Sequence, residues 1–190
     1  MIRLFLAVQV SRELKDRYAA FHAAADKRLR WVKPENIHFT LRFLGDTEER
    51  LLEPLRAGME AAARPLRPFK ITVGSGGCFG PRNFPQVLWF TVQEGLAELQ
   101  ALALAVESAV VGLGFPKEEK EWRAHLTLAR NPRRVRFEGW ESQLEAIGIS
   151  GMSVEVREVT LFSSKLRSQG PEYSVVWQAP LAGPADLMKA

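Results

Sequence analysis

The chain contains three histidines, His22, His38 and His125, and two of them head the same four-residue pattern. His38-Phe39-Thr40-Leu41 and His125-Leu126-Thr127-Leu128 lie far apart, each in a run with the composition of a β-strand. Successive side chains of a strand point to opposite faces, so His38 shares a face with Thr40, and His125 with Thr127. Phe39, Leu41, Leu126 and Leu128 face the other way, where they would anchor each strand in a core. Each copy thus presents an imidazole and a hydroxyl side by side on a rigid element. Paired imidazoles suit acid and base work near neutral pH, because an unperturbed histidine titrates at about 6.5. One His-x-Thr alone reads as a polar pair on the solvated face of a half-buried strand; the repetition singles it out.

The elements that must position these pairs can be read in order. Arg3–Gln9 has the apolar run of a buried strand. Ser11 is an N-cap for a helix whose stripe is Leu14, Tyr18, Phe21 and Ala25. His22 borders that stripe and has no threonine two residues on, so it reads as a boundary residue. Lys33-Pro34-Glu35-Asn36 turns the chain into the first motif strand, Ile37–Leu44, which Gly45 is expected to end. Asp46–Glu49 is then expected to cap a helix carrying Leu51, Leu52, Leu55 and Met59, with Pro54 requiring either a late start or a kink. Phe69–Val73 reads as a strand and Gly74-Ser75-Gly76-Gly77 as a flexible turn. That glycine cluster lacks the Gly-Lys-Ser/Thr and the following helix of a phosphate loop. Val87–Val92 is a strand and Leu96–Val111 a helix stopped by Gly112 and Gly114. Lys117–Glu121 connects to the second motif strand, His125–Ala129. Val154–Phe162 and Tyr173–Gln178 read as two closing strands.

Strand, helix and His38-x-Thr40 strand in the first half are answered by strand, helix and His125-x-Thr127 strand in the second. The pattern is a single duplication, not a short-period array. The expected fold is α+β and bilobal: two similar α/β lobes about a pseudo-two-fold axis. Mainly antiparallel sheets would line a central cleft, with helices outside. Residues 1–180 are expected to form one domain of two intertwined lobes, and 181–190 a tail with little to hold it.

Composition sets the remaining bounds. At 190 residues the chain can bury a substantial core, and its formal net charge of +4 is compatible with a polyanionic partner. Arg133-Arg134-Val135-Arg136 is the densest basic cluster and reads equally as a loop or a phosphate-contacting edge. A single cysteine, Cys78, excludes an internal disulfide and fits a reducing compartment. The first residues lack the length and cleavage pattern of a signal peptide, and no run is long enough to span a bilayer. A cytoplasmic monomer without membrane association is expected.

With these residues in view, the chain resembles the 2H phosphoesterases, in particular the bacterial and archaeal RNA 2′,3′-cyclic phosphodiesterases once called 2′-5′ RNA ligases. The resemblance rests on Arg3-Leu4-Phe5, Trp31 through Leu41, Phe43-Leu44-Gly45, Val87-Leu88-Trp89 and His125 through Arg130. Ala124 departs from it, since the family commonly has proline there. The resemblance implies metal-free, cofactor-free hydrolysis of RNA ends or small nucleotides bearing a 2′,3′-cyclic phosphate, with 2′-5′ ligation as the reverse reaction. By the same analogy His38 is the proton donor and His125 the acceptor, and Thr40 and Thr127 bind the non-bridging oxygens. Arg130 matches a family arginine and is a candidate phosphate contact, although simple alternation points it away from His125 unless the strand bulges. Arg42 shares the His38 face by period and is a second candidate. Two other classes compete: a non-catalytic module that grips RNA ends, and a zinc protein using both histidines. The latter lacks any Cys, Asp or Glu at a supporting spacing.

Overall fold

Leu4 through Val8 are all buried, so the first strand is covered on both faces and occupies the interior of a sheet. The computed structural model describes residues 1–168 and 170–183. Its strands are β1 (Ile2–Gln9), β2 (Arg30–Trp31), β3 (His38–Thr47), β4 (Phe69–Phe79), β5 (Val87–Glu94), β6 (Leu126–Arg130), β7 (Ser153–Val156), β8 (Glu158–Arg167) and β9 (Gly170–Pro180). The helices are α1 (Arg12–His22), α2 (Leu52–Ala63), α3 (Leu96–Gly112) and α4 (Trp140–Ile147).

Among the described residues all nine strands join one sheet in the order β7-β4-β5-β6-β3-β1-β8-β9, with β2 beside β6, and every pairing is antiparallel. The midpoint falls between β6 and β3, the two motif strands. On either side the order is mirrored: β3, β1, β8, β9 answers β6, β5, β4, β7. This is the α+β, two-lobed arrangement with a pseudo-two-fold axis that the duplication implied. The lobes interlock, because β8 and β9 return from the C-terminal end to complete the first lobe. Helix α3 packs on β3 and β4, α2 on β8, β9 and α3, and α4 on β4 and α1.

Two β-bulges govern which side chains reach the cleft. Ala7 pairs with Thr40 but Leu6 pairs with Arg42, so Leu41 is left out of the ladder. Trp89 pairs with Thr127 but Leu88 pairs with Ala129, so Leu128 is left out in the same way. Both bulges directly follow the motif threonine. Each inserts one residue and inverts the alternation beyond it. The carbonyl of Leu128 accepts the Val32 N–H at 2.8 Å and the buried Tyr18 hydroxyl at 3.1 Å; that hydroxyl also reaches the Val32 carbonyl at 2.8 Å. Burial pushes the Tyr18 phenol up, which keeps it a donor.

Several elements depart from the sequence reading. Gly74–Gly77 is part of β4, not a turn: a Cβ on Gly76 would come within 2.6 Å of Leu144, and one on Gly77 within 2.7 Å of Trp89. Glycines here admit α4 and an indole close to the strand. Gly45 does not end β3. It sits inside the strand at φ 71°, beside a further irregularity where Leu44 is skipped. The helix cap expected at Asp46–Glu49 is absent; a 3-10 turn at Glu49–Leu51 leads into α2, with Pro54 in its first turn. Val154–Phe162 splits at Arg157 into β7 and β8, which occupy opposite parts of the sheet. Only one residue joins them, so the sheet must curl until those parts approach. Helix α4, between Gly139 and Gly148, both left-handed, had no counterpart in the reading. Of the tail, Leu181 is buried and its N–H donates to the Arg157 carbonyl, while Gly183 donates to Arg64. Residues 184–190 lie outside those described.

Tyr18→Phe leaves the aromatic packing intact and removes the hydroxyl that ties α1 to the β6 bulge. It is expected to lower unfolding stability by about 1 kcal/mol in urea titrations. No change would mean that the Val32 N–H alone holds the bulged carbonyl.

Candidate active site

The two motif strands meet at one pair, Phe39 opposite Leu126. Antiparallel register then sets His38 beside Thr127 and Thr40 beside His125. The two histidines are therefore diagonal neighbours on one face, roughly 7–8 Å apart at the backbone. His125 is near enough that its charge acts on His38.

Each imidazole is oriented by the chain that leads into it. His38 Nδ1 lies 2.6 Å from the Asn36 carbonyl, and His125 Nδ1 lies 2.7 Å from the Arg123 carbonyl. A carbonyl only accepts, so Nδ1 carries the proton in both rings and Nε2 of the neutral ring is free to accept. Asn36 is itself buried and pinned by its side-chain amide to the Pro171 carbonyl at 2.8 Å. The approach to His125 is pinned by Trp122, whose indole N–H donates to the Thr40 carbonyl at 3.0 Å. One motif thereby braces the other.

The surroundings of the two rings differ. His38 sits among Phe5 at 4.8 Å, Tyr173 at 5.6 Å and Phe162 at 6.1 Å between centroids. Burial in this aromatic surround pushes its pKa down to about 4. The Asn36 carbonyl pulls the other way, and the charges of Lys15, His125 and Arg130 lower it further. The ring is therefore neutral near pH 7, and the Thr40 hydroxyl, 3.0 Å from Nε2, donates to it. His125 stands edge-on to Phe79 at 5.3 Å.

His38, Thr40, Thr127 and Arg130 line a single cavity of about 180 Å³, with Arg30, Lys33, Phe43 and Tyr173 around them. His125 lines a second cavity of about 290 Å³ with Phe79, Trp89 and Trp122. Thr127, two residues along from His125, faces the first. Arg130 reaches that cleft because the Leu128 bulge inverts the alternation, which is the bulge its position required.

Arg42 does not reach the cleft, and here the sequence reading is corrected. The matching bulge at Leu41 turns Arg42 to the helix side, where Nε lies 2.7 Å from Glu107 and Nη1 2.9 Å from Glu118. Its place on the cleft face is taken by Phe43, the counterpart of Arg130 under the pseudo-two-fold. Phe43, Tyr173, Arg30 and Lys33 were missed as cleft residues. Phe43 follows from a bulge that leaves no local mark in sequence, and Tyr173 comes from the far end of the chain. His22 lies on α1 against Tyr18. Cys78 is half-buried in β4, its thiol pushed up by burial. Among the described residues, no three of His, Cys, Asp and Glu are grouped so as to hold a metal ion.

A duplicated antiparallel sheet with paired His-x-Thr strands along its midline is the design of the two-histidine phosphoesterases. The LigT like Phosphoesterase family matches the chain twice, at residues 4–89 and 90–173, once for each half of the duplication. The chain belongs to that family. The RNA 2′,3′-cyclic phosphodiesterase of Aquifex aeolicus is 31% identical over 187 residues, which cover 96% of this chain and 99% of the relative. The Geobacillus stearothermophilus protein of the same name is 29% identical over 96% of this chain, but the match spans only 58% of that relative's length. Among solved structures, the TT0787 protein of Thermus thermophilus superposes with a TM-score of 0.76 at 27% identity. That match covers 96% of this chain and all of the other.

The His38 environment makes a pH prediction. Its folded pKa lies below the unfolded value of about 6.5, so protonation favours the unfolded chain. This contribution to stability is complete above pH 6.5 and is lost as pH falls toward 4. Denaturant titrations across that window should show a decline that His38→Phe reduces. An identical decline in both proteins would mean that the ring is not held neutral.

Proposed function

We propose that the chain hydrolyses the 2′,3′-cyclic phosphate of an RNA end or small nucleotide to a 2′-phosphomonoester. The observation that carries the reading is the diagonal pair of imidazoles across Phe39–Leu126, each with Nδ1 committed to a carbonyl. The relatives' shared name supports it. In-line displacement at phosphorus needs one group to take a proton from the attacking water and another, on the opposite side, to give one to the departing oxygen. His125 accepts the water's proton as the new P–O bond forms. The bond to O3′ breaks, and His38 Nε2 supplies the proton that O3′ requires, leaving the phosphate on O2′.

The donor role needs a protonated His38, and the free protein holds this ring neutral. The substrate changes this: an anionic phosphate against Nε2 favours the charged ring and raises its pKa. Thr40 then exchanges its bond to Nε2 for one to a non-bridging oxygen, and Thr127 donates from the other motif as charge builds there. Arg130, on the Thr127 side, neutralises the same charge. The chain needs no metal or cofactor in this reading, acts as a cytoplasmic monomer, and catalyses 2′-5′ ligation as the microscopic reverse. Residues 1–180 then work as one functional domain, since each lobe contributes one histidine.

His38→Ala and His125→Ala should each lose about 10²–10⁴-fold in kcat while remaining folded, measured on an oligoribonucleotide ending in a 2′,3′-cyclic phosphate. The product should carry its phosphate on O2′, and EDTA should leave the rate unchanged. Near-wild-type turnover in either variant, or loss on chelation that a divalent ion restores, would overturn the mechanism.

A further inference from the structure

The His38 cavity holds more positive charge than one cyclic phosphate calls for. Arg30, Lys33 and Arg130 all line it, and among the described residues no Asp or Glu does. None of the three makes an ion pair among the described residues, unlike Arg42, Arg82 or Arg136. Arg30 and Arg130 are moreover direct partners across β2 and β6. Like charges directly opposite one another destabilise a sheet unless an anion lies between them. The fold keeps this arrangement at the mouth of a cleft, where a ligand can reach it.

The positions of these cations divide their work. Arg130 is the one that shares a strand and a face with Thr127. Arg30 lies opposite Arg130, three residues beyond Thr127, a separation of roughly 10 Å along the strand. Lys33 follows on the same segment, at the turn that leads to Asn36 and His38. Arg30 thus stands away from the floor formed by His38, Thr40 and Thr127, while Lys33, one residue past the Val32 N–H bond to the Leu128 carbonyl, stands at its edge. A nucleotide whose cyclic phosphate sits on that floor has one other anionic group within reach, the phosphate on its own 5′ oxygen.

We propose that Arg30 and Lys33 form a second phosphate subsite that binds the 5′-phosphate of the terminal nucleotide, which in an RNA is the diester linking it to the rest of the strand. The inference rests on the cyclic-phosphate reading of the cleft and adds to it a preference for nucleotides that continue in the 5′ direction. Such a subsite improves binding more than turnover, because the 5′-phosphate carries the same charge in ground and transition states. Its effect weakens with salt, since both cations are solvent-accessible.

The test compares adenosine 2′,3′-cyclic phosphate with the same nucleotide carrying a 5′-phosphate, using the full chain at low ionic strength. The 5′-phosphate should lower KM about tenfold or more and leave kcat little changed. The double variant Arg30→Gln, Lys33→Gln should erase that advantage, while its kcat/KM on the unphosphorylated nucleotide stays within about twofold of wild type. Equal KM values in the wild type would overturn the proposal. So would an advantage that survives in the double variant, or an equal loss on both substrates, which would assign the cations to the reacting phosphate. Calorimetry with adenosine 3′-phosphate and adenosine 3′,5′-bisphosphate separates this inference from the one beneath it. Tighter binding of the bisphosphate, lost in the double variant, sustains the subsite even if no cyclic substrate is turned over. Equal affinities overturn it whatever the turnover.

Discussion

The contact between Phe39 and Leu126 is a single residue pair, yet the whole cleft depends on it. Both side chains are completely buried, so the pair sits in the core and cannot slip without exposing two large apolar groups. A slip of one residue would also send every motif side chain to the wrong face. Because the pair lies on the pseudo-two-fold axis, fixing it places both His-x-Thr units at once and in opposite directions. Burial thereby sets the spacing of the polar groups.

The two bulges act on that frame. Each follows its motif threonine by one residue, and each exchanges the inner and outer faces for the residues that come next, in β3 as far as the second irregularity at Leu44. In the first lobe this removes Arg42 to an ion-pair cluster with Glu107 and Glu118 and delivers Phe43 to the cleft. In the second it buries Ala129 and delivers Arg130. A single geometric device, applied twice, therefore gives an aromatic wall at one end and a cation at the other. The rings differ as well: His38 is enclosed by three aromatic side chains and bonded to Thr40, whereas His125 packs against Phe79 and faces the second cavity. Duplication supplies two equivalent groups, and their neighbours make them inequivalent, which suits the proposed division between acid and base.

The histidines and threonines were legible because their signal is local: a period of two within four residues, repeated. The lobes were legible because strand, helix and strand recur in order. Arg42 shows where such reading stops. Strict alternation puts it beside His38, and nothing in Thr40-Leu41-Arg42 announces that Leu41 leaves the ladder. The same device brought Arg130 in, and there the need for a bulge could be stated in advance because the resemblance supplied the arginine. Gly74–Gly77 misled for another reason. Glycine marks both turns and close approaches, and only the partners, Leu144 and Trp89, distinguish the two. The Val154–Phe162 run concealed a crossing between lobes, since a one-residue break at Arg157 leaves the apolar pattern almost intact. Tyr173 and the Pro171 carbonyl come from the last hairpin, and only tertiary structure brings them to His38.

A crystal structure of the protein with a nucleoside vanadate, which imitates five-coordinate phosphorus, measures the central geometry directly. The two apical oxygens should fall within hydrogen-bonding distance of His38 Nε2 and His125 Nε2, one each, with Thr40 and Thr127 on equatorial oxygens. A vanadate held by one histidine alone, with the other ring beyond reach of any of its oxygens, would contradict the account.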